Sequence, residues 1–307
     1  MINFDELPFL TLDVADKYRT YFNLSETELA DACFNSRIAW QPGYQYRWFM
    51  SHDLFCTVTE GGLFAEPHFY LPLGEITIDN LQPCIDEIGE MFAAKGWPLR
   101  GMFIDDHFRD TFDKLEGYTI EWYNNQDYSD YLYDAQKLRD LSGKKYRQKR
   151  NHVNRFMRDY YDTHYRRLTA DDQAAALELV STWCQERDVD CADITESDMI
   201  PIRTLFENYD DLKVRGGGIF YGEELIAFAL GSLVHEDYAV IHFEKAHPDY
   251  EGLYAAINQF VMQEEFAEAR LVNREEDMGI EGMRIAKESY HPIRKLRKYE
   301  VLIQPKT

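Results

Sequence analysis

The sequence predicts an α/β protein, of the α+β kind with mixed sheets, made of two similar sheets in tandem. Three observations predict it. Short aromatic or β-branched runs, bounded by glycine and proline, alternate with segments whose apolar residues recur at helical spacing. The alternation occurs twice in one order: helix, three-strand meander, helix, strand, helix, strand. The length of 307 residues is enough for two domains of roughly 100–200 residues each. Strands that begin antiparallel and then alternate with helices give a mixed sheet with helices on both faces.

In the first half, Ser25 and Glu28 have capping-box spacing between Leu24 and Leu29, which predicts the first helix start. Residues 44–50, 54–60 and 68–73 read as the meander, broken by Gly61-Gly62 and by prolines. Leu81, Cys84, Ile85, Ile88, Met91 and Phe92 form a helical stripe that stops at Gly96. A strand at 102–104, a helix at 108–115 and a strand at 118–123 complete this half.

The second half opens at Thr169 and Asp172, the start of a helix with Ala176, Leu179, Val180 and Trp183 on its stripe. Gly216-Gly217-Gly218 reads as a flexible turn before a strand at 219–221. Strands at 225–234 and 238–244 follow, then a helix carrying Leu253, Ala256, Ile257, Phe260 and Val261. A strand at 270–273, a helix at 280–288 and a last strand at 299–303 end the chain. The predicted division is 1–140, a basic connecting helix at 141–162, and 163–307. The halves share element order and no obvious identity.

Composition narrows the function. With 33 Lys and Arg against 55 Asp and Glu the net charge is −22, which excludes a general nucleic-acid binder. At 45% hydrophobic and 15% aromatic the chain has material for a core, which excludes disorder. Positive charge is concentrated in two windows. Residues 144–158 carry Lys144, Lys145, Arg147, Lys149, Arg150, Arg155 and Arg158 with no acid; residues 284–298 carry six basic residues and Glu288. On an acidic body, two such windows point to phosphates; a single solvated helix face is the plainer alternative for the first.

Open sheets bind ligands at the carboxyl ends of their strands. Two such ends carry chemistry: Phe243-Glu244-Lys245, and Asn273-Arg274-Glu275-Glu276-Asp277. Glu244 or Asp277 can orient or deprotonate an acceptor, and Tyr290 can protonate a leaving oxygen. Asn273, Arg274, Arg284 and Lys287 are candidate substrate ligands here, with Lys144, Lys145, Arg147 and Arg150 for donor phosphates. For Asp277 the structural alternative is an acid favouring a helix N-terminus; for Glu244 it is pairing with Lys245 or a helix cation; for Tyr290 it is packing.

Other chemistries are excluded by spacing. The triglycine matches neither phosphate-cradle motif, no GxSxG is present, and His242 and His247 have no cysteine at ligand spacing, so no metal is expected. Cys33, Cys56, Cys84, Cys184 and Cys191 are expected to be reduced, in a cytoplasmic protein. The N-terminus lacks a signal pattern, and the most apolar window is ten residues where a spanning helix needs roughly twenty.

The motifs Phe243-Glu244-Lys245-Ala246, Asn273 through Arg284 (NREEDMGIEGMR) and Lys287 through Pro292 (KESYHP), with the element order, resemble the soluble relatives of the phosphatidylglycerol lysyltransferase C-terminal domain. The resemblance covers essentially the whole chain, more loosely in the first half. It implies two tandem GNAT-like (acyl-CoA N-acyltransferase) folds, with the reaction centre in the second. It also implies transfer of an aminoacyl group from aminoacyl-tRNA, as in the related Fem-type enzymes. No transmembrane half of the kind that presents lipid is expected from this sequence, so the resemblance leaves the amine or hydroxyl acceptor, lipid-like or small, unnamed. The stretch matching the GNAT pyrophosphate loop, residues 247–253, keeps one glycine, Gly252, which disfavours acyl-CoA as donor. A CoA-dependent N-acyltransferase and a catalytically silent ligand-binding protein are the alternatives. No further cofactor is implied, and a monomer is expected.

Overall fold

The protein is described by a computed structural model over residues 2–64, 66–193 and 197–306. It divides into two compact units, Met1–Asp130 with Leu296–Thr307, and Tyr131–Lys295. This differs from the predicted division at 140 and 163: the last strand, assigned to the second half, belongs to the first unit.

In the first unit come α1 (Ala15–Leu24), α2 (Phe34–Tyr44), β1 (Arg47–Ser51), β2 (Leu54–Thr59), β3 (His68–Tyr70), α3 (Ile78–Ala94), β4 (Leu99–Asp105), α4 (Arg109–Phe112) and β5 (Tyr118–Asn124). The predicted helix start at Ser25 is a helix end. Ser25 Oγ donates back to the Phe22 carbonyl at 2.7 Å, closing α1, and Glu26 at φ +55° lies outside the right-handed helical region that the residue after a Ser25 cap would need. The stripe of α3 is as predicted, with all six apolar residues buried against the sheet.

The second unit contains most of β6 (Asp130–Asp134), then α5 (Ala135–Asp140), α6 (Arg147–Asp159), β7 (Thr163–Arg167), α7 (Gln173–Arg187), α8 (Met199–Glu207), β8 (Arg215–Tyr221), β9 (Glu224–His235), β10 (Tyr238–Ala246), α9 (Leu253–Glu264), β11 (Leu271–Asn273), α10 (Glu281–Glu288) and β12 (Arg294–Leu296). β13 (Lys298–Pro305) returns to the first unit. Thr169 and Asp172 form the predicted capping box. The triglycine is not a turn. It lies inside β8, where a Cβ on Gly217 would fall 1.8 Å from the Tyr165 hydroxyl, so its glycines allow close packing across the sheet.

The first sheet runs β1-β2-β3-β4-β13-β5 and the second β12-β6-β11-β10-β9-β8-β7. Apart from the edge strand β7, the order is the same. Three antiparallel strands (β1-β2-β3 or β8-β9-β10) are joined by a parallel partner, β4 or β11. An antiparallel strand from the other part of the sequence then follows, β13 beside β4 and β6 beside β11. Each sheet thus completes its core with a strand distant in sequence: Val301 and Ile303 in the first, Tyr131 and Tyr133 in the second.

The cysteines correct one expectation. Cys184 and Cys191 form a disulfide, because the chain leaving α7 turns back and brings their Cα atoms within 5.8 Å, whereas Cys33, Cys56 and Cys84 are buried and outside any disulfide. Among the described residues no helix is long and apolar enough to cross a membrane.

Candidate functional site

In the second unit β10 and β11 are paired only over residues 238–240 and 271–273, with Val240 opposite Asn273. β10 then continues to Ala246 without β11 beside it. The strands part at their carboxyl ends, where an open sheet receives its ligand. The chain after β11 crosses this opening as the polar loop the sequence singled out.

One ion pair spans the opening. Arg274 Nη2 lies 3.1 Å from both carboxylate oxygens of Glu244, and Asn258 of α9 donates to Glu244 Oε2 at 3.2 Å. The pair is largely buried, at 11% and 13% side-chain exposure. The guanidinium also faces the rings of Tyr290, at 4.9 Å, and Tyr133, at 5.6 Å. Burial would discharge the arginine, but the facing Glu244 raises its proton affinity, so it stays charged. Glu244 is therefore paired, with Arg274 rather than the adjacent Lys245, which binds Asp198 at 2.6 Å. Two buried side-chain atoms of this cluster have no hydrogen-bond partner among the described residues: the donor Arg274 Nη1 and the acceptor Asn258 Oδ1. Buried polar groups left so are uncommon and mark strain or a ligand's place.

Lys149 completes the cluster. Its ammonium lies 4.1 Å over the Tyr290 ring, and burial, aided by Arg274, pushes it down to about 8. Sequence reading passed over it among the basic residues of its helix. The available signal was its place four residues before Val153, on the buried Val153–Phe156 stripe of α6. Burial raises Tyr290 and keeps its phenol protonated at neutral pH.

The remaining candidates build the loop. Asp277 is 1% exposed and accepts from Arg284 Nε at 2.9 Å, Arg284 Nη2 at 2.7 Å, the Tyr131 hydroxyl at 2.5 Å and the Gly279 amide at 2.9 Å. Burial opposes its ionisation, and these donors outweigh burial, holding the carboxyl down at about 2. Lys287 Nζ donates to the carbonyls of Arg274, Glu275 and Glu276, and Asn273 Oδ1 accepts from the Glu275 amide at 2.7 Å.

Of the first basic window, Lys144, Lys145 and Arg147 are exposed at the start of α6. Arg150 turns inward to the carbonyls of Leu141 and Gly143, while Arg155 and Arg158 are paired with Glu251 and Asp159. The two windows meet: the Tyr146 hydroxyl donates to the Tyr290 carbonyl at 3.0 Å, and the Tyr146 ring stands edge-on to His291. Gly252 opens α9 at φ +87°, where a Cβ would lie 2.4 Å from the His152 carbonyl of α6. Helix α6 thus packs on the turn where a GNAT enzyme would be expected to hold pyrophosphate. An open groove of about 250 Å³, lined by Met157, Tyr165 and Phe260 among others, contains no residue of the Glu244 cluster.

The chain is similar to known proteins over most of its length. The family described as phosphatidylglycerol lysyltransferase, C-terminal, matches residues 30–302. A crystal structure of a conserved Bacteroides thetaiotaomicron protein of unknown function is 26% identical with a TM-score of 0.89, covering 97% of this chain and all of that one. The C-terminal domain of an Agrobacterium fabrum protein described as a lysylphosphatidylglycerol synthetase is 14% identical with a TM-score of 0.69, covering 95% and 92%, and shares the fold. An uncharacterized Mycoplasmoides gallisepticum protein is 24% identical over 216 residues, which are 67% of this chain and 66% of that relative.

Proposed function

The chain belongs to the phosphatidylglycerol lysyltransferase C-terminal family, has the GNAT-like mixed α/β fold with two mixed sheets, and is a transferase by that membership; we propose that its second unit moves an aminoacyl group from a charged tRNA to an amine or hydroxyl. The observation that carries the proposal is the pair of buried, unpartnered atoms beside Glu244. An aminoacyl ester presents a carbonyl oxygen, which accepts, next to an amino group, which donates. Arg274 Nη1 and Asn258 Oδ1 are the matching donor and acceptor. An acetyl group has nothing to offer the second.

Arg274 polarises the donor carbonyl and steadies the negative charge that develops on it. Tyr290, held protonated, gives a proton to the leaving oxygen. Lys149 takes the acceptor's proton, since its own affinity lies near neutral pH. Glu244 holds Arg274 and Asn258 in place, and Asp277 shapes the loop that carries Arg274. Lys144, Lys145 and Arg147 receive tRNA phosphates. Packing of α6 on Gly252 favours this donor over CoA.

Binding of aminoacyl-tRNA measured between low and moderate salt tests the reading. Affinity should fall steeply as salt rises, because each phosphate contact releases counterions, and replacing Lys144, Lys145 and Arg147 by Ala should flatten the slope by about three contacts' worth. Binding of acetyl-CoA without binding of tRNA at low salt would transfer the site to CoA chemistry.

A further inference from the structure

The same unit holds a hydrogen-bonded array with no part in the transfer chemistry above. Ser232 Oγ on β9 lies 2.9 Å from His242 Nε2 on β10, and His242 Nδ1 lies 3.2 Å from a carboxylate oxygen of Glu275 in the loop after β11. The sheet brings together two residues of one hairpin and a third from the loop after β11. Ser232 is opposite Val240, which is opposite Asn273, so the serine sits in the last row before β10 and β11 part. His242 is the extra residue of a bulge, between Ile241 opposite Gly231 and Phe243 opposite Leu230. A bulge re-aims its side chain, and bulges are common beside active sites. Glu275 has φ +55° and is fixed by its amide's bond to Asn273 Oδ1, at 2.7 Å.

The protonation pattern follows from the partners. A carboxylate only accepts, so the proton of a neutral ring lies on Nδ1, toward Glu275, leaving the Nε2 lone pair facing the serine hydroxyl. Burial pushes His242 down to about 3, so the resting ring is neutral. A proton taken up there needs a counter-charge, which Glu275 supplies. This is the arrangement that activates a nucleophilic serine.

We propose that Ser232 is an acyl-accepting nucleophile, with His242 its general base and Glu275 the residue that positions and charge-balances the ring. Ser232 Oγ attacks the carbonyl carbon of a donor ester, and its proton passes to His242 Nε2. The donor carbon–oxygen bond breaks, the leaving oxygen takes that proton, and the acyl group remains as a serine ester. An acceptor amine or hydroxyl then attacks the same carbon. It gives its proton through Nε2 to the serine oxygen as the ester breaks. Without an acceptor, water takes its place, so the unit is a slow esterase. The proposal rests on the transfer reading only for the identity of the acyl group; the array's reactivity is independent of it, and on this covalent route His242 carries the protons that the direct route assigns to Tyr290 and Lys149.

The test uses the full chain, with diisopropyl fluorophosphate as a probe of activated serines and p-nitrophenyl acetate as an ester. Wild-type protein should acquire one phosphoryl adduct, located on Ser232 by peptide mass mapping, and should release nitrophenol in a burst. Ser232→Ala should abolish both. Glu275→Gln should slow labelling at least tenfold with an unchanged melting temperature, and Glu275→Asp should recover part of the rate. Absence of an adduct on Ser232 in folded wild-type protein overturns the proposal, and that result needs no variant. Labelling of Glu275→Gln at the wild-type rate removes the positioning role. If Ser232 is labelled but charged tRNA does not bind, the donor reading fails alone. If tRNA binds and transfer persists in Ser232→Ala, the nucleophile fails alone.

Discussion

The two sheets share a strand order and differ at one place, the carboxyl end of the parallel pair. In the first unit β3 is three residues long and stops at Tyr70, opposite Met102, so no strand runs on to make an opening. Rings fill the region: Phe103 is within 5.3 Å of Phe64 and 5.7 Å of Tyr128. Its buried ammonium, Lys298, is held by both Asp31 and Asp130, the latter at 2.7 Å. In the second unit β10 outruns its parallel partner by six residues, and the loop beyond β11 sends a guanidinium into the opening with one carboxylate for company. One frame thus serves two ends. A short strand with a cation between two acids closes a core, while a long strand with an incompletely satisfied cation leaves donors and acceptors for something else.

If that contrast is functional, a large effect on the rate belongs to Lys149. Replacement by Met should lower transfer on the order of a hundredfold or more, the usual worth of a positioned proton carrier. In the wild type the rate should rise with pH through about 8, as the ammonium loses its proton. A variant with Arg at 149 should lose this limb. A pH profile unchanged in either variant would break the assignment and leave Lys149 a packing residue.

The counterpart in the first unit should affect stability alone. Lys298→Met strands the buried Asp130 carboxylate and the partly buried Asp31 carboxylate, and removing one partner of a buried pair costs about 3–5 kcal/mol. Urea denaturation would measure the loss, and tRNA affinity of the folded fraction should be unchanged. Arg274→Met should cost less stability, because a single carboxylate is stranded, and should abolish transfer. If Lys298→Met impaired ligand handling as severely as Arg274→Met, the two ends would not be the closed and open forms of one frame.

What was legible in the sequence was local periodicity. The stripe of α3, the strands β9 and β10 and the apolar face of α9 follow from spacings of two or three to four residues. Choices settled by distant partners were not legible. β6 and β13 sit in sheets remote from their sequence neighbours because that is where their apolar faces find a core. Ser25 has the spacing of a cap but serves the helix before it. Gly217 looks like a hinge until Tyr165 is seen against it. At the site the loop from Asn273 to Gly279 was visible as a dense polar stretch at a strand end. Lys149 and Asn258 were not, since only packing separates one lysine of a basic helix, or one amide of an apolar helix, from its neighbours.

The smallest effect tests Asp277, the acid for which helix-end and catalytic parts were both open. With four donors on its carboxylate it is a poor base, and the contrast between units gives it the part of Asp31 and Asp130: fixing a cation within the frame. Its folded-state value near 2, against 3.8 unperturbed, makes the carboxylate worth about 2 kcal/mol of stability. The sign follows from the depression. The contribution is complete above pH 4 and is lost as pH falls from about 4 toward 2. Asp277→Asn should therefore lower stability by about 2 kcal/mol at neutral pH and flatten the acid limb of a denaturation series. Transfer in Asp277→Asn should fall only as far as the loop loosens, about tenfold, and should recover in part at low temperature, where the loop is held by its other bonds. A loss of a hundredfold or more with an unchanged melt would return Asp277 to the chemistry and take from the comparison its claim that acids beside the opening only hold the frame.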